Sequence, residues 1–124
     1  MTKPSTGYIL LIKEGIFINT QYKKGVLELL ILLMIEKKDM YGYELVEAIS
    51  KIVDVNEGTI YPILKRLTNE SLFETYTKES TEGPIRKYYH LTAAGKITKD
   101  VQLKEWKKFS ESVGEFIRKS ETNE

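Results

Sequence analysis

From Thr20 to Lys38, the apolar residues Val26, Leu27, Leu30, Ile31, Leu33, Met34 and Ile35 recur at helical intervals and wrap most of the circumference. A helix that is apolar on nearly every side is buried on more than one face, as at the centre of a dimer. Its densest run, Val26 to Ile35, is about half the roughly 20 residues a membrane span needs, and Glu28 interrupts it. It therefore reads as a core helix. Gly25 costs about 1 kcal/mol relative to Ala inside a helix, which predicts close packing at that point. After Lys37-Lys38-Asp39, Gly42-Tyr43-Glu44-Leu45 opens a second helix with Leu45, Val46 and Ile49 on one side.

Asp54-Val55-Asn56 breaks the chain again, and Asn56 is a good N-cap for a third helix. In that helix Ile60, Ile63, Leu64 and Leu67 form an i, i+3, i+4, i+7 stripe. Pro62 is expected near the first turn, where its missing N–H costs least. Leu72 to Lys78 and Ile85 to Leu91 are rich in aromatic and β-branched residues, and Glu79 to Pro84 separates them. This predicts a two-stranded hairpin. Thr92 then caps a last helix running to about Lys119, in which Trp106, Phe109, Val113, Phe116 and Ile117 repeat at spacings of three and four. Residues 1–19 carry Pro4 and Gly7 without a clean period and read as an N-terminal arm. Translation starting nearer Ile16 is the other reading of that segment.

The predicted fold is mainly α with a two-stranded β wing: a winged helix-turn-helix unit over residues 20–91, followed by a long helix over 92–120. In that arrangement the third helix enters the major groove and the wing touches flanking backbone. With its core stripe inward, the third helix presents Gly58, Thr59, Pro62, Lys65, Arg66 and Asn69, with Tyr61 at the edge. Two cations, an amide, a hydroxyl and a phenol suit phosphates and base edges. A solvated helix face would show a similar mixture. Arg86 and Lys87 beside a Gly-Pro turn, as wing cations, favour the DNA reading.

The 124-residue chain is of single-domain size, with 41% hydrophobic and 30% charged residues. Its net charge of +1 gives no case for nucleic acid by itself, so the placement of the cations must carry it. The absence of cysteine excludes disulfides and thiolate metal sites and fits the cytoplasm. His90 is the single histidine, which removes most zinc arrangements and every histidine-based catalytic pair except one built on His90 itself. It reads as a strand-surface residue. The carboxylates Glu44, Glu47, Asp54 and Glu57 form no acid–base pair, and there is no phosphate-binding glycine loop. No enzyme, cofactor, signal peptide or membrane anchor is expected.

Four motifs stand in order: Lys24-Gly25-Val26-Leu27-Glu28, Tyr41-Gly42-Tyr43-Glu44-Leu45, Glu57-Gly58-Thr59-Ile60-Tyr61-Pro62-Ile63-Leu64-Lys65-Arg66-Leu67, and Gly83-Pro84-Ile85-Arg86-Lys87-Tyr88-Tyr89-His90-Leu91-Thr92. Over roughly residues 20–118 the chain resembles the PadR family of bacterial transcriptional regulators, in its short form with a single C-terminal helix. The resemblance implies operator binding to double-stranded DNA as a homodimer, usually as a repressor, with the last helix making the dimer. It implies Thr59, Tyr61, Lys65 and Arg66 on the recognition helix and Arg86 and Lys87 on the wing. It also implies two roles for Trp106, beside Phe109, Val113 and Phe116: packing in the dimer interface, or stacking a planar aromatic effector there. The chain departs from the family pattern at Ser71, where glycine is usual, at Ile85 and His90, where many members have arginine, and at Ala93, where an acidic residue is common. The alternative function, favoured by the near-neutral charge and depleted wing, is a winged-helix protein–protein adaptor without DNA binding.

Overall fold

A computed structural model describes residues 20–122. The expected N-terminal arm, residues 1–19, lies outside the described residues. The elements in chain order are α1 (Thr20–Lys37), β1 (Met40–Tyr41), α2 (Gly42–Ser50), α3 (Glu57–Asn69), β2 (Phe73–Ser80), β3 (Gly83–Leu91) and α4 (Ala93–Glu121). Among them, no helix is long and apolar enough to cross a membrane.

The apolar periods read from sequence converge on one core. Leu27, Ile31, Leu32 and Ile35 come from α1, Leu45, Val46 and Ile49 from α2, and Ile60, Leu64 and Leu67 from α3. Phe73, Tyr89 and Leu91 close it from the hairpin. A fully buried aliphatic side chain contributes about 1.5–3 kcal/mol, so this set is what holds three short helices together. Leu30 and Met34 pack only partly against the core, and Leu33 is half-buried. Gly25 needs correction: among the described residues, a methyl group there would meet nothing within 4 Å, so they supply no close packing at that point.

The sheet has three antiparallel strands in the order β1-β3-β2, one more than the expected hairpin. The short strand β1 pairs Met40 with Tyr89 and Tyr41 with Tyr88. Its two residues are too few to show a period of two. The hairpin is also tighter than expected, with Ser80 opposite Gly83 across Thr81-Glu82. Lys78 pairs with Arg86, so Pro84 and Ile85 stand opposite Glu79 alone. Proline is tolerated at such a bulge because no ladder donor is lost.

Asn56 caps α3 as expected, its side chain accepting from the Thr59 N–H at 3.2 Å. Because the helix starts at Glu57, Pro62 lies past its first turn and leaves the Gly58 carbonyl without an intrahelical donor. The exit of α3 explains Ser71. Its φ of 63° is the left-handed region, with Leu72 N–H on the Leu67 carbonyl (3.0 Å) and Ser71 N–H on the Thr68 carbonyl (3.0 Å). These are the two bonds of a Schellman ending, in which glycine is the usual residue. Ser71→Gly is therefore expected to raise stability by about 1 kcal/mol, read as a higher urea midpoint at unchanged m-value.

The start of α4 is built onto that exit. Thr92 Oγ1 accepts from the Gly95 N–H (3.0 Å) and donates to the Ser71 carbonyl (2.7 Å). Gly95 is buried, and a Cβ there would collide with the Leu72 carbonyl oxygen and the Leu91 side chain. A backbone oxygen cannot swing aside, so Gly95→Ala is expected to cost about 1–3 kcal/mol despite alanine's helix propensity. Thermal unfolding checks this; a stabilised variant would mean α4 seats differently.

Candidate nucleic-acid interface

With Ile60, Leu64 and Leu67 inward, Gly58, Pro62, Lys65 and Asn69 form the outer ridge of α3, all exposed. Lys65 projects from this ridge and makes no ion pair among the described residues. Thr59 is half-buried at the helix start, its hydroxyl 3.4 Å from Asn56 Oδ1. Tyr61 and Arg66 stand on opposite flanks of the ridge.

On one flank, Tyr61 lays its ring on the first turn of α2, where a Cβ at Gly42 would overlap the ring. Burial, together with the charge of Glu57, pushes the Tyr61 phenol above its usual pKa, so it remains a neutral donor. Tyr61 shares a cleft of about 460 Å³ with Tyr41, Gly42 and Tyr43 from the α2 entry and with Arg86 and Lys87 from the wing. The sequence-predicted residues Tyr61, Arg86 and Lys87 are thus brought together.

On the other flank, the expectation of a free cation at Arg66 needs correction. Its guanidinium donates to Glu28 Oε1 (2.5 Å) and reaches Glu70 (3.3 Å). Position on the helix decides this, because Arg66 sits about 70°, roughly a fifth of a turn, from the ridge centre on the side of α1. Burial pushes the Glu28 carboxyl up, but hydrogen bonds from Arg66 and Gln102 and the charge of Arg66 outweigh it and hold it below the usual carboxylate range.

The wing carries a cationic aromatic face that the sequence reading missed in part. Tyr76 and Tyr88 stack at 5.5 Å, and Tyr41 meets Tyr88 edge-on at 5.5 Å. Arg86 lies 4.5 Å over the Tyr41 ring and Lys78 lies 5.7 Å over Tyr88. On the opposite face of β3, Lys87 stands 5.8 Å over Tyr89. Such contacts are worth about 0.5–1 kcal/mol each and hold the cations at defined places on the surface. Lys78 could have been found from a correct hairpin register, which sets it opposite Arg86. At the base of this face, Asp39 accepts from the Tyr76 hydroxyl (2.7 Å) and sits 2.8 Å from His90 Nδ1. His90 is an exposed strand residue, and no group of three potential metal ligands occurs among the described residues.

A third helix seated on two others, its outer ridge polar and its neighbour a cationic hairpin, is the winged helix-turn-helix arrangement. Residues 31–100 match the Transcriptional regulator PadR-like family, spanning the core from mid-α1 into α4. The chain belongs to the PadR family. A PadR-like transcriptional regulator from Bacillus cereus is 40% identical, with 79% of this chain and 97% of that one aligned at a TM-score of 0.73. A Streptococcus transcriptional regulator is 37% identical over 79% of this chain and 98% of its own, with a TM-score of 0.71. A PadR family transcription regulator from Clostridium difficile is 33% identical over 74% and 98%, with a TM-score of 0.68. Membership makes this chain a DNA-binding transcriptional regulator at the level of the family.

The last helix follows another pattern. Beyond Leu103 its apolar residues lie largely uncovered among the described residues: Trp106 is 42% exposed, Phe109 62%, Val113 41% and Phe116 71%. Trp106 and Phe109 are tilted neighbours with ring centroids 6.3 Å apart. Exposed aromatic residues repeating along one side of a helix mark a surface built to be covered.

Proposed function

We propose that this PadR protein is a repressor that binds an imperfect palindromic operator as a homodimer, with one recognition helix in each of two successive major grooves. The observation that carries the reading is the shared cleft of Tyr61, Arg86 and Lys87, which joins recognition helix and wing into one surface. Lys65, Arg86 and Lys87 supply phosphate attraction, joined by Lys78, while Thr59 and Tyr61 set register against the bases. Arg66 leaves this group, because engaging a phosphate would cost it two carboxylate partners.

Trp106, Phe109, Val113 and Phe116 cover one another across the dimer axis. Release follows a change in the angle between the two winged units, since α4 joins them. A planar aromatic effector held at Trp106 would produce that change. Titrating planar aromatic cations against the single-tryptophan fluorescence tests this: saturable quenching supports the effector, and its absence leaves Trp106 as dimer packing alone.

Selecting bound duplexes from genomic fragments, then repeating the binding across salt concentrations, tests the main reading. The expected result is a two-half-site sequence bound with a steep negative salt dependence. No retention of duplex even at low salt would instead favour the protein–protein adaptor, to which the net charge of +1 is better suited.

A further inference from the structure

Glu28 is the one charge inside the apolar run of α1, and its side chain is only 24% exposed. A carboxylate in such surroundings is costly unless its oxygens are bonded. Both are. Oε1 accepts from Arg66 on α3, and Oε2 accepts from Gln102 on α4. One carboxylate on the central helix therefore holds the recognition helix on one side and the last helix on the other.

Among the described residues, the remaining polar ties between α4 and the winged unit do not include the body of α3. Thr92 binds the turn that follows α3, and Lys99 pairs with Glu36 of α1 at 2.8 Å. Apolar contacts between helices tolerate sliding and rotation, whereas two directional bonds to one carboxylate fix a relation between two helix axes. In a dimer joined through α4, the tilt of α3 against α4 sets how far apart the two recognition helices stand.

We propose that Glu28 is a positioning residue for DNA recognition, fixing α3 against α4 so that the dimer discriminates half-site spacing, with Arg66 and Gln102 as its two arms. The proposal rests on the dimer-on-operator reading above. It assigns Arg66 to spacing rather than to phosphate, and it explains why a residue beside the outer ridge is held by carboxylates.

The test uses Gln102→Met, which removes only the α4 arm and keeps the Arg66–Glu28 pair, alongside Glu28→Gln. Each is compared with wild type on the selected operator, on the same operator with one base pair inserted between half-sites, and on a single half-site. The expected result is unchanged assembly in sedimentation and unchanged half-site affinity. The wild-type preference for native over lengthened spacing falls by about threefold to tenfold. If Glu28→Gln fails to fold, Gln102→Met decides alone. An unchanged spacing preference in Gln102→Met, or an equal loss on half-site and full operator, overturns the proposal while leaving operator binding intact. Wild-type protein that binds no duplex, or is indifferent to spacing, removes the dimer-on-operator reading and this inference with it.

Discussion

Replacing both Phe109 and Phe116 by glutamate is expected to give a folded monomer whose affinity for a two-half-site operator falls by about 100-fold or more. The two rings are 62% and 71% exposed and lie outside the core, so the winged unit folds without them. Across a two-fold axis each helix meets its own copy, and every substitution acts twice. The change removes four aromatic rings from the interface, each worth about 1.5–3 kcal/mol of burial. It also sets four carboxylates against one another in the place of an apolar seam. The large loss on DNA comes from linkage: a dimer delivers its second recognition helix at high effective concentration, and a monomer does not. Sedimentation and titration on full and half-site duplexes check the result. The monomer keeps its half-site affinity if α4 acts only through assembly. A variant that still sediments as a dimer would place the interface elsewhere.

How far these features were legible in the sequence depended on whether local chemistry decided them. The third helix could be read because Asn56 caps it and Ile60, Leu64 and Leu67 keep one face inward. The start of α4 was legible for the same reason, since Thr92 bonds the Gly95 N–H three residues on. Ser71 could be anticipated as strained, because a helix ending at Asn69 needs a left-handed residue two positions later. The fate of Arg66 was not legible. It stands beside Lys65 in sequence, yet its partner Glu28 lies 38 residues away and approaches only after α1 packs. The strand Met40–Tyr41 escaped because two residues carry no alternation; only its pairing with Tyr88 and Tyr89 makes it a strand. The hairpin turn was misplaced because Gly83-Pro84 looks like a turn, while the bulge opposite Glu79 absorbs it within β3. Where a motif's meaning depended on a partner far along the chain, residue type alone favoured the wrong surroundings.

Replacing Arg86 and Lys87 by alanine is expected to weaken binding on every duplex alike and to lower the salt slope by up to about 2 for each bound protomer. What these side chains touch in the free protein decides the size of the loss. Both are exposed, and neither forms an ion pair among the described residues; each rests on a tyrosine ring, Arg86 on Tyr41 and Lys87 on Tyr89. A ring holds a cation in place without neutralising it, so the full charge stays available to phosphate. An ion-paired arginine such as Arg66 differs, because its carboxylates must be given up before a phosphate gains anything. Each phosphate neutralised by Arg86 or Lys87 releases condensed counterions, and that release sets the slope. The loss is uniform because backbone contacts carry no base information. Tyr61 in the same cleft supplies the contrast: Tyr61→Phe keeps the ring on Gly42 and every cation, so the slope holds while the rank order of sequences shifts. A double alanine variant with the wild-type slope would mean that the wing stays clear of the duplex and that the cationic cleft serves some other anion.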